Sequence, residues 1–65
     1  MFDLEYIAKR REELSLSQAA MAEKMGFSNA SVYLKYEKGE YKFKADMLPK
    51  LAKALKCKVK NFFTP

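Results

Sequence analysis

An all-α fold of five short helices is what this sequence predicts, and three features predict it. Apolar residues recur every three or four positions along nearly all of the 65 residues, the period of an amphipathic helix. The two glycines, Gly26 and Gly39, fall where such stretches end, and Ser17, Ser28 and Asn29 fall where they begin, as helix capping favours. The one alternating stretch, Tyr41-Lys42-Phe43-Lys44, has no second segment to pair with, and a lone strand makes no sheet.

The first helix is expected over residues 3–13. Leu4, Ile7, Ala8 and Leu14 form its apolar stripe, and Asp3 and Glu5 stand at its start, where the helix dipole favours negative charge. Leu16 packs inward, and Ser17 is the natural N-cap of a second helix over 18–25. Ala19, Ala20, Met21, Ala22 and Met25 are strong helix formers, and Gly26 supplies the left-handed residue that ends the run. Ala22 is small enough to let the next helix cross closely. Phe27 enters the core, Ser28 or Asn29 caps a third helix over 29–38, and Gly39 ends it. Tyr33 and Tyr36, flanked by Val32, form the apolar side of that helix, so Ser31, Leu34, Lys35 and Lys38 face elsewhere. Residues 40–44 form a loop. A fourth helix is expected over 47–56. With Asp46 as its N-cap, Pro49 falls in the first turn, where its missing N–H would have had no partner within the helix. Leu48, Leu51, Ala52 and Leu55 are its buried stripe. A last helix over 58–62 packs Val59 with Phe62 or Phe63.

Composition narrows the function. A chain this short forms one domain at most, expected over residues 1–65, and buries only about 60% of its unfolded surface. Cys57 is the sole cysteine and there is no histidine, so neither a disulfide nor a zinc set is expected; Cys57 reads as a small buried apolar residue in a reducing compartment. No cofactor is expected. Met1 to Leu16 alternates acidic and basic residues without an apolar segment, and no apolar run approaches the ~20 residues of a membrane span, so a soluble, cytoplasmic protein is expected. With no histidine, no acidic pair at pocket spacing and no glycine-rich phosphate loop, an enzyme and a small-molecule substrate are excluded. Charge is lopsided. Residues 1–34 hold four basic and five acidic side chains, net −1; residues 35–65 hold nine lysines against Glu37, Glu40 and Asp46, net +6. One half of the chain is a cation, which fits a polyanionic partner.

Three stretches carry a resemblance. Leu16-Ser17-Gln18 followed by Met21-Ala22-Glu23-Lys24-Met25-Gly26-Phe27-Ser28, then Tyr36-Glu37-Lys38-Gly39, then Leu51-Ala52-Lys53-Ala54-Leu55 with Cys57, Val59 and Phe62-Phe63, resemble the signatures of the Cro and lambda-repressor-like (XRE) helix-turn-helix family. The likeness runs from Ile7 to Phe63. The sequence also resembles the small modulator-of-repression proteins of temperate lactococcal phages. In one respect it departs from the family: the turn glycine and the closing glutamate are typically ten residues apart, whereas Gly26 and Glu37 are eleven apart. The third helix is therefore aligned from its Glu37 end, where Tyr33 and Tyr36 fill the apolar slots.

The resemblance implies a five-helix lambda-repressor-like DNA-binding domain, acting on double-stranded DNA in a phage lysis–lysogeny type of switch inside the bacterial host's cytoplasm. In that family the third helix lies in the major groove with its N-terminal side chains toward base edges. On the chosen alignment these are Asn29, Ala30, Ser31 and Lys35. Asn can bridge adenine N6 and N7, Lys can reach guanine O6 or N7, and Ser donates or accepts. Asn29 serves equally well as a helix cap. Gln18 resembles the family's phosphate-binding residue at the second helix, and Lys38, Lys42 and Lys44 follow the recognition helix where the family touches the backbone. Arg11 and Glu37 resemble its structural ion pair. A second reading is a protein that docks on a partner repressor. Leu34, Tyr33, Tyr41 and Lys35 would form that contact, because exposed Leu and aromatic groups suit protein interfaces.

Overall fold

In the computed structural model, which describes residues 1–64, the chain is all-α. Four α-helices follow one another: α1 Leu4–Glu13, α2 Gln18–Met25, α3 Ala30–Glu37 and α4 Leu48–Ala54. A single 3-10 turn, Ala45–Met47, leads into α4, and a second, Val59–Phe62, closes the chain. No helix among the described residues is long and apolar enough to cross a membrane.

Side-chain caps fix where the first three helices start. The Asp3 carboxylate accepts from the Tyr6 N–H at 3.0 Å, Ser17 Oγ from Ala20 at 3.0 Å, and Asn29 Oδ1 from Val32 at 3.1 Å. All four helices end in the same two-bond motif, in which a residue with left-handed backbone turns the chain and two N–H groups return to the last-turn carbonyls. Ser15 (φ 56°), Gly26 (78°), Gly39 (87°) and Lys56 (51°) hold that position. After α1, for example, Ser15 N–H donates to the Glu12 carbonyl at 2.9 Å and Leu16 N–H to that of Arg11 at 3.1 Å.

The second half differs from the sequence-based expectation at both ends. Asp46 is not an N-cap. It lies inside the 3-10 turn closed by the Met47 N–H on the Lys44 carbonyl (2.9 Å), so α4 starts at Leu48 with Pro49 in its first turn and without a side-chain cap. The helix stops at Ala54 because Lys56 turns left-handed. The fifth helix is only a 3-10 turn. Its Phe62 carbonyl accepts from Asp3 N–H at 2.6 Å, and Phe2 and Phe63 form one antiparallel bridge beside it, which straightens the chain before another turn can form. Tying the two ends together replaces the predicted helix.

The core gathers Ile7 of α1, Met21, Ala22 and Met25 of α2, Tyr33 of α3, Leu51, Ala52 and Leu55 around α4, and Phe62. α2 packs chiefly on α3, with α4 across it, so Ala22 sits where a larger side chain would hold the helices apart. These contacts leave the outer face of α3 uncovered.

Candidate nucleic-acid interface

Helical spacing places Ser31, Lys35 and Lys38 on one stripe, and all three are exposed. Leu34 lies in the same stripe; it is half-buried yet outside the packed core. Tyr33, on the opposite side, is fully buried. It is therefore excluded from the partner-contact set, because its ring points inward between the helices.

Asn29 is exposed at the N-cap, with its carbonyl oxygen spent on the Val32 N–H. The amide nitrogen stays free to donate. Bridging adenine through both side-chain atoms would require giving up the cap. Gln18 is the first residue of α2, half-buried, on a helix whose cap belongs to Ser17.

After α3 the chain turns at Gly39, bends at Glu40 and Tyr41, and continues without regular structure to Lys44. Alternation then sorts the side chains. Tyr41 and Phe43 lie against Tyr36, with ring centroids 5.4 and 5.0 Å away, while Lys42 and Lys44 are exposed. Phe43 also packs on Phe2 at 5.8 Å, so it covers the core. Tyr41 remains 45% exposed, and the Lys35 ammonium lies 5.4 Å from the centroid of its ring. The ion pairs among the described residues all use Arg10 or Arg11, leaving Lys35, Lys38, Lys42 and Lys44 without carboxylate partners. Positive charge on this face is unneutralised from within.

Arg11 sets the tilt of this face. Its guanidinium donates from Nε and Nη2 to the two Glu37 oxygens at 2.9 and 3.1 Å and from Nη1 to the Leu16 carbonyl at 2.9 Å, tying α1 to the end of α3. The Tyr33 hydroxyl is buried beside this pair without a hydrogen-bond partner of acceptable geometry. Burial first, and then the Glu37 carboxylate, holds its pKa well above the ordinary tyrosine range. The Glu37 contact raises the Arg11 pKa further.

Sequence reasoning passed over Arg10, which donates from Nε to the Leu55 carbonyl at 2.9 Å and from Nη2 to that of Lys56 at 3.2 Å, covering the end of α4. The available signal was its position. Residue 10 falls on the stripe of Ile7 and Leu14, an odd place for a guanidinium unless it finds acceptors there.

A helix-turn-helix family model matches residues 7–61, from the middle of α1 through most of the closing turn. A search of curated proteins and a search of solved structures give no match.

Proposed function

Because the chain belongs to the helix-turn-helix family, we propose that it regulates transcription by seating α3 in the major groove of DNA, in a switch of the lysis–lysogeny type. The family is one of DNA-binding regulators, generally without enzymatic activity. One observation carries the reading: Ser31, Lys35 and Lys38 form an exposed stripe on the helix that follows the turn, and no carboxylate neutralises its lysines. Lys35 reads a guanine edge, Ser31 and the free Asn29 amide nitrogen add contacts near the helix start, and Gln18, Lys38, Lys42 and Lys44 hold the sugar-phosphate backbone. The phage setting rests on the resemblance to modulators of repression.

Base and backbone contacts respond differently to mutation. Lys35→Ala should weaken binding to a selected duplex roughly tenfold, about 1.4 kcal/mol, and leave a scrambled duplex little changed. Lys38→Ala should weaken both about equally. Gel-shift titration of both variants on both duplexes tests this. Equal losses on both duplexes for Lys35→Ala would remove base reading by Lys35.

Leu34 supports a second reading, in which this face docks on a partner repressor with Leu34, Lys35 and Tyr41 in the contact. A half-buried leucine outside the core, beside a 45%-exposed tyrosine, is interface material. Leu34→Asp should abolish a one-to-one complex with such a repressor while the helical circular dichroism stays intact. Unchanged co-elution would rule this reading out.

A further inference from the structure

We propose that Tyr41 is a positioning residue for Lys35: its ring holds the ammonium over the second half of α3 and limits which base edge the lysine can reach. The inference rests on the DNA reading proposed above. Among the described residues Lys35 is the lysine that lies over an aromatic face, with its nitrogen 5.4 Å from the centroid, inside the ~6 Å range of a cation–π contact.

Tyr41 is not a free loop side chain. The backbone brings it to Lys35, because the N–H groups of both Glu40 and Tyr41 donate to the Lys35 carbonyl, at 2.9 and 3.3 Å. Gly39 makes that return with φ +87°, wedged so closely on α1 that a Cβ there would stand 3.0 Å from Leu4 Cδ1. The ring is then braced from behind. Tyr36 meets it edge-on at 5.4 Å and itself stacks on Phe27, with centroids 4.7 Å apart and planes 14° apart. A chain of rings thus runs from the turn before α3 to the lysine near its end. Tyr41 is missing from the residues packed on the core, so core packing does not account for it.

The physical consequence is pre-organisation. A lysine is a point charge on a flexible four-carbon stem, and ordering it on binding costs entropy. Holding its head on a fixed ring in the free protein removes part of that cost. The ammonium has three donors, so it can keep the ring contact and still donate to a base. Lys38, Lys42 and Lys44 have no such support, which suits residues that follow phosphates of any sequence.

The test compares wild type with Tyr41→Phe, which keeps the aromatic face, and Tyr41→Leu, which keeps apolar bulk without it. DNA is the duplex that the wild-type chain itself enriches from a random library, set against a scrambled duplex of the same composition. Tyr41→Leu should weaken the selected duplex about two- to fivefold and leave the scrambled duplex unchanged, while Tyr41→Phe behaves as wild type. In the free protein, the Lys35 ε-methylene protons should be shifted upfield by the ring in wild type and Tyr41→Phe, and return to ordinary lysine values in Tyr41→Leu. Unchanged or tighter selected binding by Tyr41→Leu, an equal loss on both duplexes, or an unshifted Lys35 would each overturn the proposal alone. A wild type that enriches no sequence would overturn the DNA reading and this proposal with it.

Discussion

At the scale of single residues, the informative group is the triad of Arg11, Glu37 and Tyr33. Arg11 and Glu37 keep only 12% and 9% of their side-chain surface, so removing either strands the other's charge in a poorly solvated place. Arg11→Ala should cost about 2–3 kcal/mol, whereas Arg11→Leu combined with Glu37→Leu should cost less than the single change, because no charge is left unpaired. Urea titrations of the two variants check the order. Tyr33 gives a separate prediction. Its hydroxyl is sealed in without a partner, and an orphaned buried polar group costs about 1–3 kcal/mol, so Tyr33→Phe should not lower the melting temperature and should raise it if packing holds. The sign with pH follows from the raised pKa. The folded state holds the phenol proton more tightly than the unfolded chain does, so the stability this contributes is complete below the unfolded value of about 10 and is lost as pH rises past it. Tyr6 acts in the same direction, through burial and then the neighbouring Cys57 thiol. Thermal melts on both sides of pH ~10 should therefore fall less steeply in Tyr33→Phe than in wild type. Equal slopes would mean that Tyr33 is not the buried phenol responsible.

At the scale of elements, the four helix ends share one geometry but not one residue type. Gly26 and Gly39 adopt positive φ at no steric cost, whereas Ser15 and Lys56 adopt it against the Cβ clash of L-residues. Lys56→Gly should stabilise the chain by about 0.5–1 kcal/mol, the relief of that clash less the added freedom of the unfolded glycine. The melting temperature would rise roughly 4–8 °C per kcal/mol for a domain of this size. The reverse change discriminates between the glycines. Gly39→Ala adds a Cβ 3.0 Å from Leu4 Cδ1, but at Gly26 the nearest atom is the mobile Lys50 Nζ at 3.9 Å, so Gly39→Ala should melt lower than Gly26→Ala. The same ends show what the sequence could and could not reveal. Glycine announces a left-handed residue by its type, so the ends of α2 and α3 were legible; nothing in a serine or a lysine signals the same conformation. The last predicted helix failed for a different reason. Its residues have helical periodicity, but the long-range bridge between Phe2 and Phe63 outweighs a few residues of local preference. The exposed stripe of Ser31, Lys35 and Lys38 could be read from spacing alone. The contact of Tyr41 with Lys35 could not, since it depends on how the chain folds back at Gly39.

At the scale of the whole molecule, charge and shape set how it meets DNA. The longest extent is 31 Å, shorter than the ~34–36 Å between successive half-sites on one face of a duplex, so a single copy covers one half-site. All nine lysines of the cationic half are exposed and none pairs with a carboxylate among the described residues, so exposure alone does not say which of them DNA would neutralise. Position does. α3 packs on α2 and α1; Lys38 ends its outer stripe and Lys42 and Lys44 follow in the loop after it, while Lys53 stands on α4 and Lys60 in the closing turn. If three or four lysines of the α3 face meet phosphates or bases, log K should fall with log salt at a slope of about −3, since each neutralised phosphate contributes about −0.9. Lys42→Ala with Lys44→Ala should then flatten the slope by about 1.8, whereas Lys53→Ala with Lys60→Ala should leave it unchanged although both pairs remove the same net charge. That contrast is the strongest check on orientation. A general attraction between a basic protein and a polyanion would respond equally to either pair; only a defined docking face makes the loop lysines count and the others not.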